Sequence, residues 1–363
     1  MNFIDLETQQ KRIRKKIDQN IKNVLDSGQY IMGKEISLLE ETLKNYIGTK
    51  YCITVSSGTD ALLIALMALD IRNGDEVITS PFTFFATAEV ISLLGAKPIF
   101  VDIDPKNYNL DSSLLERAIT EKTRAIMPVS MFGQCADFDT INEIASHHNI
   151  PVIEDAAQSF GATYKGQKSC SLSSIGCTSF FPSKPLGGYG DSGACFTDDD
   201  ELAEKMSEIR VHGQSKRYTH SRLGLNARMD TIQAAILLAK FEIFPEEVLL
   251  RAQIGKRYSE LIDSYDSQAI NLSTPIIEPY NTSVFAQYTL RSNSRAVLIE
   301  KLNANQIPTA IHYPNPVHKQ EPYIDTTLDL AESEMASKEV FSLPMHPYLT
   351  EDQQREMVEI LFS

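Results

Sequence analysis

From Tyr51 onward, short β-like runs alternate with helical ones, and that rhythm leaves few folds open. The β-like runs fall at 51–55, 76–79, 98–101, 125–129 and 152–154. Helical spacing covers 60–69, 84–94, 114–119 and 138–147. Strands joined through helices run parallel, and a parallel sheet buries both of its faces. The expected fold class is therefore α/β, a large unit with a mostly parallel sheet between helices. Sheets of this kind place their ligand sites at the carboxyl ends of the strands. Ahead of the sheet, Ile13, Ile17, Ile21, Val24 and Leu25 recur at helical spacing, as do Leu38, Leu39, Leu43, Tyr46 and Ile47 after Gly33. A long helical pattern over 246–261 leads into a smaller C-terminal α/β unit. The expected division is 1–245, with the N-terminal helices, and 246–363, as a length of 363 residues suggests.

Composition narrows the function classes. The densest apolar block, Ala61 to Leu69, is nine residues long between Asp60 and Asp70, far short of the roughly 20 a membrane helix needs. The N-terminus lacks the basic-then-apolar pattern of a secretory signal, so a cytoplasmic protein is expected. Cys52, Cys135, Cys170, Cys177 and Cys195 form no C-x-x-C pair and have no histidines at ligand spacing, which argues against metal and disulfide frameworks alike. A net charge of −14 disfavours nucleic acid and anionic membrane as partners. One local exception lies between Ile209 and Arg228, where Arg210, Lys216, Arg217, Arg222 and Arg228 occur with no acidic residue. That stretch is either a solvated basic loop or a site for a small anion.

Three short segments carry chemistry. Val55-Ser56-Ser57-Gly58-Thr59-Asp60 joins a strand to a helix, whose first amides are unpaired. Such a junction holds phosphate, unless Ser57 or Thr59 simply caps the helix. Pro151-Val152-Ile153-Glu154-Asp155-Ala156-Ala157-Gln158 ends an apolar strand in a carboxylate followed by small residues. Asp155 is either an ordinary strand-end aspartate or the partner of a pyridine nitrogen, with the alanines letting a ring lie flat. Pro182-Ser183-Lys184-Pro185 holds a lysine on a stretch that cannot be helical. This is the setting of a Schiff-base amine or of a surface loop lysine. The adjacent Gly188-Tyr189-Gly190-Asp191-Ser192-Gly193 spells G-x-G-x-x-G. A dinucleotide fingerprint needs a strand before it and a helix after it, whereas Pro185 precedes and a strand-like run follows.

Phosphate cup, strand-end aspartate and pre-proline lysine, in that order, resemble the PLP-dependent fold type I enzymes. The marks Gly58-Thr59-Asp60-Ala61-Leu62, Gly74-Asp75-Glu76-Val77-Ile78, Glu154-Asp155-Ala156-Ala157-Gln158, Ser179-Phe180-Phe181-Pro182-Ser183-Lys184 and Gly224-Leu225-Asn226-Ala227-Arg228-Met229-Asp230 resemble the DegT/StrS nucleotide-sugar aminotransferases. The likeness runs from Phe3 to Pro347. It implies that pyridoxal 5′-phosphate (PLP) is held covalently by Lys184, which then moves the proton between the substrate carbon and the cofactor. It implies Asp155 on the ring nitrogen, Gln158 on the ring hydroxyl, and Ala157 and Phe84 against the two ring faces. Gly58, Thr59 and Ser179 would hold the phosphate, with Asn226 reaching it from the other subunit of a homodimer.

Within that family, Gly28-Gln29-Tyr30-Ile31-Met32-Gly33, Gly133-Gln134-Cys135-Ala136-Asp137-Phe138-Asp139 and Ile311-His312-Tyr313-Pro314 are most similar to UDP-2-acetamido-2-deoxy-3-ketoglucuronate aminotransferases of surface-polysaccharide synthesis. The resemblance implies a UDP-keto-sugar acceptor, L-glutamate as donor, and Gly28, Tyr30, Ser183, Arg228, His312 and Tyr313 around the sugar. Arg228, ending the acid-free stretch, suits a uronate on a diphosphate. Pro185 and Ser192 depart from the asparagine and glycine common in relatives, so the loop after the lysine is expected to sit differently. Competing expectations are amination at C4 of a UDP or dTDP 4-keto-6-deoxy sugar, and a PLP-binding regulator without turnover. The acidic charge, the absence of a helix-turn-helix pattern and the presence of the lysine weigh against the regulator.

Overall fold

The computed structural model describes residues 1–266, 270–325 and 327–363. Two helices, Leu6–Ser27 and Lys34–Ile47, precede the sheet. Asp5 caps the first by accepting from the Thr8 amide, and Gly28 ends it in the left-handed region at φ 67°. Both helices were legible from their apolar spacing.

The sheet is built from two ladders. In one, Glu76–Thr79 lies between Lys97–Phe100 and Thr123–Ile126, all parallel. In the other, Ile153–Asp155 runs parallel to Ile175–Ser179, which pairs antiparallel with Gly193–Thr197, which in turn pairs antiparallel with Tyr51–Val55. Parallel bridges Ile126–Val152 and Val129–Asp155 join the ladders. Gly193–Thr197 therefore opposes the direction of the other strands. Alternation along the strands sends side chains into two separate cores. Ile53, Val55 and Cys195 pack with the helices Gly58–Ala68 and Asp200–Ile209. Cys52, Ala194 and Phe196 pack with Lys34–Ile47 and Thr231–Phe241. Both faces are covered, as a mostly parallel sheet requires.

One expected helix is absent. Residues 114–119 form two short 3₁₀ turns, Ser112–Leu114 and Glu116–Ala118. Asp111 takes the Ser113 amide at one end and Thr123 takes the Thr120 amide at the other. Arg210 and Arg222 correct a second expectation. Arg210 pairs with Glu40 and Arg222 with Glu208, so part of the acid-free stretch finds its acids across space and is not an anion patch.

The C-terminal residues build another core. The helix Phe244–Asp263 starts at Phe244 in the core of Cys52 and Phe196 and ends in the C-terminal core, with Ile254, Tyr258 and Ile262. There it meets the antiparallel pair Tyr288–Arg291 and Val340–Leu343 and the helices Arg295–Ala304 and Glu351–Phe362. Between these elements the chain returns to the sheet side: Asn281 pairs with Tyr164, and the Val284 amide donates to the Gly133 carbonyl. That return brings the residues after Val284 to the strand ends. Among the described residues no helix is long and apolar enough to cross a membrane, and all five cysteines are free and buried.

Candidate active site

A cavity of about 510 Å³ opens at the strand ends, and Gly58, Thr59, Asp155 and Lys184 all line it. Three chain segments distant in sequence converge there because parallel strands end on one edge.

Lys184 sits on the turn after Ile175–Ser179. The turn is pinned by backbone bonds from Phe180 to the Ser192 carbonyl, from Gly188 to Phe180 and from Lys184 to Phe181. Gly187 permits the fold-back, since a Cβ there would meet the Pro182 carbonyl oxygen at 2.5 Å. Pro185 and Ser192 are buried in this loop, and the Ser192 hydroxyl donates to the Phe180 carbonyl at 3.4 Å. The G-x-G-x-x-G run leads into the strand Gly193–Thr197, so it lacks the helix a dinucleotide site needs. Burial lowers the Lys184 ammonium below the ordinary lysine range, partly opposed by the charge of Asp155.

Asp155 ends its strand 5% exposed. Its Oδ2 accepts from the Thr87 hydroxyl at 2.9 Å and its Oδ1 from the Ala157 amide at 3.2 Å. Desolvation nonetheless raises its pKa, with these bonds and Lys184 opposing. A buried carboxyl in that condition is stabilised as an anion by a cation placed against it.

Gly58 approaches strand-end Ser179 so closely that a Cβ would lie 2.6 Å from the serine Cβ. Ser57 caps the helix by accepting from the Asp60 amide at 3.0 Å. The first intrahelical bond runs from Ala61 to the Ser57 carbonyl. The Gly58 and Thr59 amides precede that bond, at the helix end that favours anions. The capping and anion readings of this junction thus fall on different residues.

Phe84, Ala157, Gln158, Ser179, Ser183, His312 and Tyr313 line the same cavity. Gln158 accepts from the Phe132 amide at 2.9 Å and donates to the Tyr313 hydroxyl at 3.1 Å, leaving one amide hydrogen. The Phe181 amide donates to the Ser179 hydroxyl oxygen, which keeps that hydroxyl's own proton to give. Burial and the Lys184 charge both lower His312. Gly28, Tyr30, Asn226 and Arg228 are elsewhere. Arg228 donates to Asn226 at 2.6 Å, and the Thr231 amide donates to the Tyr30 carbonyl at 2.9 Å. None of the four lines the cavity of its own chain.

Residues 11–362 match the DegT/DnrJ/EryC1/StrS aminotransferase family. The chain belongs to that family. It is 56% identical to the UDP-2-acetamido-2-deoxy-3-oxo-D-glucuronate aminotransferase of Pseudomonas aeruginosa over 96% of both chains. Among solved structures it is similar to a DegT DnrJ EryC1 StrS aminotransferase from Brucella abortus, with TM-score 0.95, 38% identity and coverage of 100% and 98%. It is also similar to NtdA from Bacillus subtilis with bound cofactor PMP, with TM-score 0.90, 30% identity and coverage of 99% and 82%. The protein is a PLP-dependent nucleotide-sugar aminotransferase. Its cavity fits that cofactor: an amine of lowered pKa, a buried carboxyl in need of a cation, and free amides at a helix start for a phosphate.

The aminotransferase site also contains residues the motifs did not show. Thr87 bonds Asp155 and, through its own hydroxyl, Thr83 at 3.0 Å. The i, i+4 spacing of these threonines was visible, but their proximity to Asp155 was not. Gln287 lines the cavity from the returning C-terminal segment, and nothing local in its sequence marks it.

Proposed function

We propose that this enzyme transfers the amino group of L-glutamate to C3 of UDP-2-acetamido-2-deoxy-3-oxo-D-glucuronate, yielding a 2,3-diamino uronate nucleotide sugar for surface polysaccharide. The observation that carries the reading is the 56% identity with an enzyme of that name, joined to one cavity lined by both Lys184 and Asp155.

When bound, PLP supplies the electron sink for the bond broken at the amine-bearing carbon. Lys184 Nζ binds the cofactor and later carries the proton to and from the substrate carbon. Its lowered pKa keeps the amine basic yet readily neutral. Asp155 stays ionised against the ring nitrogen and holds the proton there, with Thr87 and the Ala157 amide fixing its carboxylate. Gln158 directs its remaining amide hydrogen at the ring hydroxyl. Gly58, Thr59 and Ser179 bind the phosphate. Phe84, 58% exposed over the cavity, and Ala157 cover the ring faces and exclude water. Ser183, His312 and Tyr313 orient the sugar.

Gly28, Tyr30, Asn226 and Arg228 lie outside the lining of their own chain's cavity, so we assign them to the cleft of a second copy in a homodimer. There Asn226 would reach the cofactor phosphate, and Arg228 the uronate or diphosphate. The free, buried cysteines suit a reducing cytoplasm.

The test is a product screen by mass spectrometry with glutamate and a panel of UDP and dTDP keto-sugars, alongside Lys184→Ala. The expected result is amination of the 3-keto uronate and no turnover by the variant. Equal activity on a 4-keto-6-deoxy sugar would overturn the substrate, and an active Lys184→Ala the mechanism.

A further inference from the structure

We propose that the Gln287 side-chain amide is a substrate contact that accepts a hydrogen bond from an uncharged donor, a hydroxyl or acetamido N–H, on the sugar. This rests on the reading that a nucleotide sugar enters the cleft.

Gln287 lines the cavity together with Lys184, His312 and Tyr313. Its Oε1 is buried and has no hydrogen-bond partner among the described residues. Buried acceptors in folded proteins are nearly always satisfied, so such an atom in a cleft wall points to a ligand. Its neighbours sharpen the contrast. Gln134 donates to the Ile276 carbonyl while accepting from the Glu278 amide and Asn281. Gln158 is engaged by Phe132 and Tyr313. Gln134, beside this wall, and Gln158, within it, are committed to the protein, whereas the Gln287 acceptor has no partner among the described residues.

The backbone beneath Gln287 is clamped on both sides. Val284 bonds the Gly133 carbonyl at 3.0 Å, and Gly133 sits so close that a Cβ would meet the Phe285 amide nitrogen at 2.6 Å. On the other side Tyr288 pairs with Leu343. An amide on so fixed a segment is pre-organised, which favours recognition over mobility.

Chemistry separates the two substrates. Glutamate offers carboxylates, which only accept, and an ammonium that must be delivered to the reacting centre. The sugar offers neutral donors, and each hydroxyl also accepts, so the Gln287 amide can pair with it through both of its atoms. A site built to bond such a group discriminates against analogues that lack it.

The experiment compares the PLP-loaded wild type with Gln287→Met, which keeps length and removes hydrogen bonding. One readout is the calorimetric Kd for UDP-2-acetamido-2-deoxyglucuronate, which lacks the keto group and needs no turnover. The other is the rate of the half-reaction with L-glutamate, followed by absorbance. The expected outcome is a Kd raised about tenfold, the scale of one lost hydrogen bond, with the glutamate half-reaction within about twofold of wild type. Equal affinities, absent binding to the wild type, or equal damage to both readouts would overturn the assignment. Failure of the C3 reading shows separately, as wild-type protein that binds this nucleotide sugar but does not aminate the 3-keto uronate.

Discussion

The Thr87 hydroxyl donates to Asp155 Oδ2 at 2.9 Å and lies 3.0 Å from the hydroxyl of Thr83, in the loop ahead of the helix Ala86–Leu93. Thr87 is 1% exposed and Asp155 5%. More than any other contact, this bond offsets the desolvation of the carboxyl. An Asp155 without it would protonate more readily and grip a pyridinium nitrogen less well.

Thr87→Val keeps the shape and removes the donor. Affinity for PLP, titrated by absorbance on cofactor-free protein, is expected to fall about tenfold, on the scale of a hydrogen bond to a charged group. Thr87→Ser should restore most of it. A valine variant that binds PLP as tightly as wild type would remove Thr87 from the site.

Lys184 makes a pH prediction. Burial lowers its ammonium and the Asp155 charge raises it, the first effect being the larger. Covalent capture of PLP requires the neutral amine, so its rate should climb with pH through a midpoint below the ordinary lysine value of 10.5. Asp155→Asn removes the group that favours the ammonium, and the midpoint should move lower still. Stopped-flow absorbance on cofactor-free protein checks both; an upward move in the variant would contradict the assigned electrostatics.

The catalytic candidates were legible because each announces itself locally. Prolines flank Lys184 closely, Asp155 ends an apolar strand, and Gly58 starts a helix. Parallel topology then brings them to one edge without further instruction. Thr87 and Gln287 were not legible, because only the folded chain sets Thr87 against Asp155 and brings Gln287 to the cavity. The same cause misled the reading of charge: Arg210 lies in a stretch without acids, yet Glu40 reaches it from the second helix. Residues 114–119 show the limit of periodicity, which reports an apolar face but not whether the segment closes as an α-helix or as 3₁₀ turns.

Gly255 stands in the middle of Phe244–Asp263, where alanine is ordinarily favoured by about 1 kcal/mol. Here a Cβ would lie 2.4 Å from Cε2 and 2.5 Å from Cδ2 of the Phe285 ring. That ring is buried, and its backbone amide abuts Gly133, so it cannot swing aside freely. The clash outweighs the propensity, and Gly255→Ala should destabilise by about 2 kcal/mol, as overpacking does. A raised melting temperature in thermal unfolding would show that Phe285 yields. Because Gln287 follows Phe285 closely, the variant should also weaken binding of the nucleotide sugar.

His346 contributes to the acid limb of stability. It is 4% exposed, and burial lowers its pKa to about 4, with Arg251 adding and Asp5 opposing. The unfolded chain binds the proton near the ordinary value of 6.5, so between these two values the unfolded state holds more protons than the native one. Stability is therefore fully present above pH 6.5 and is lost as pH falls toward about 4. The loss amounts to about 3 kcal/mol by linkage. His346→Gln cannot titrate, and its urea-unfolding free energy should fall less steeply than that of wild type across this window. Parallel slopes for the two proteins would mean that His346 is protonated in the native state and that other groups set the acid limb.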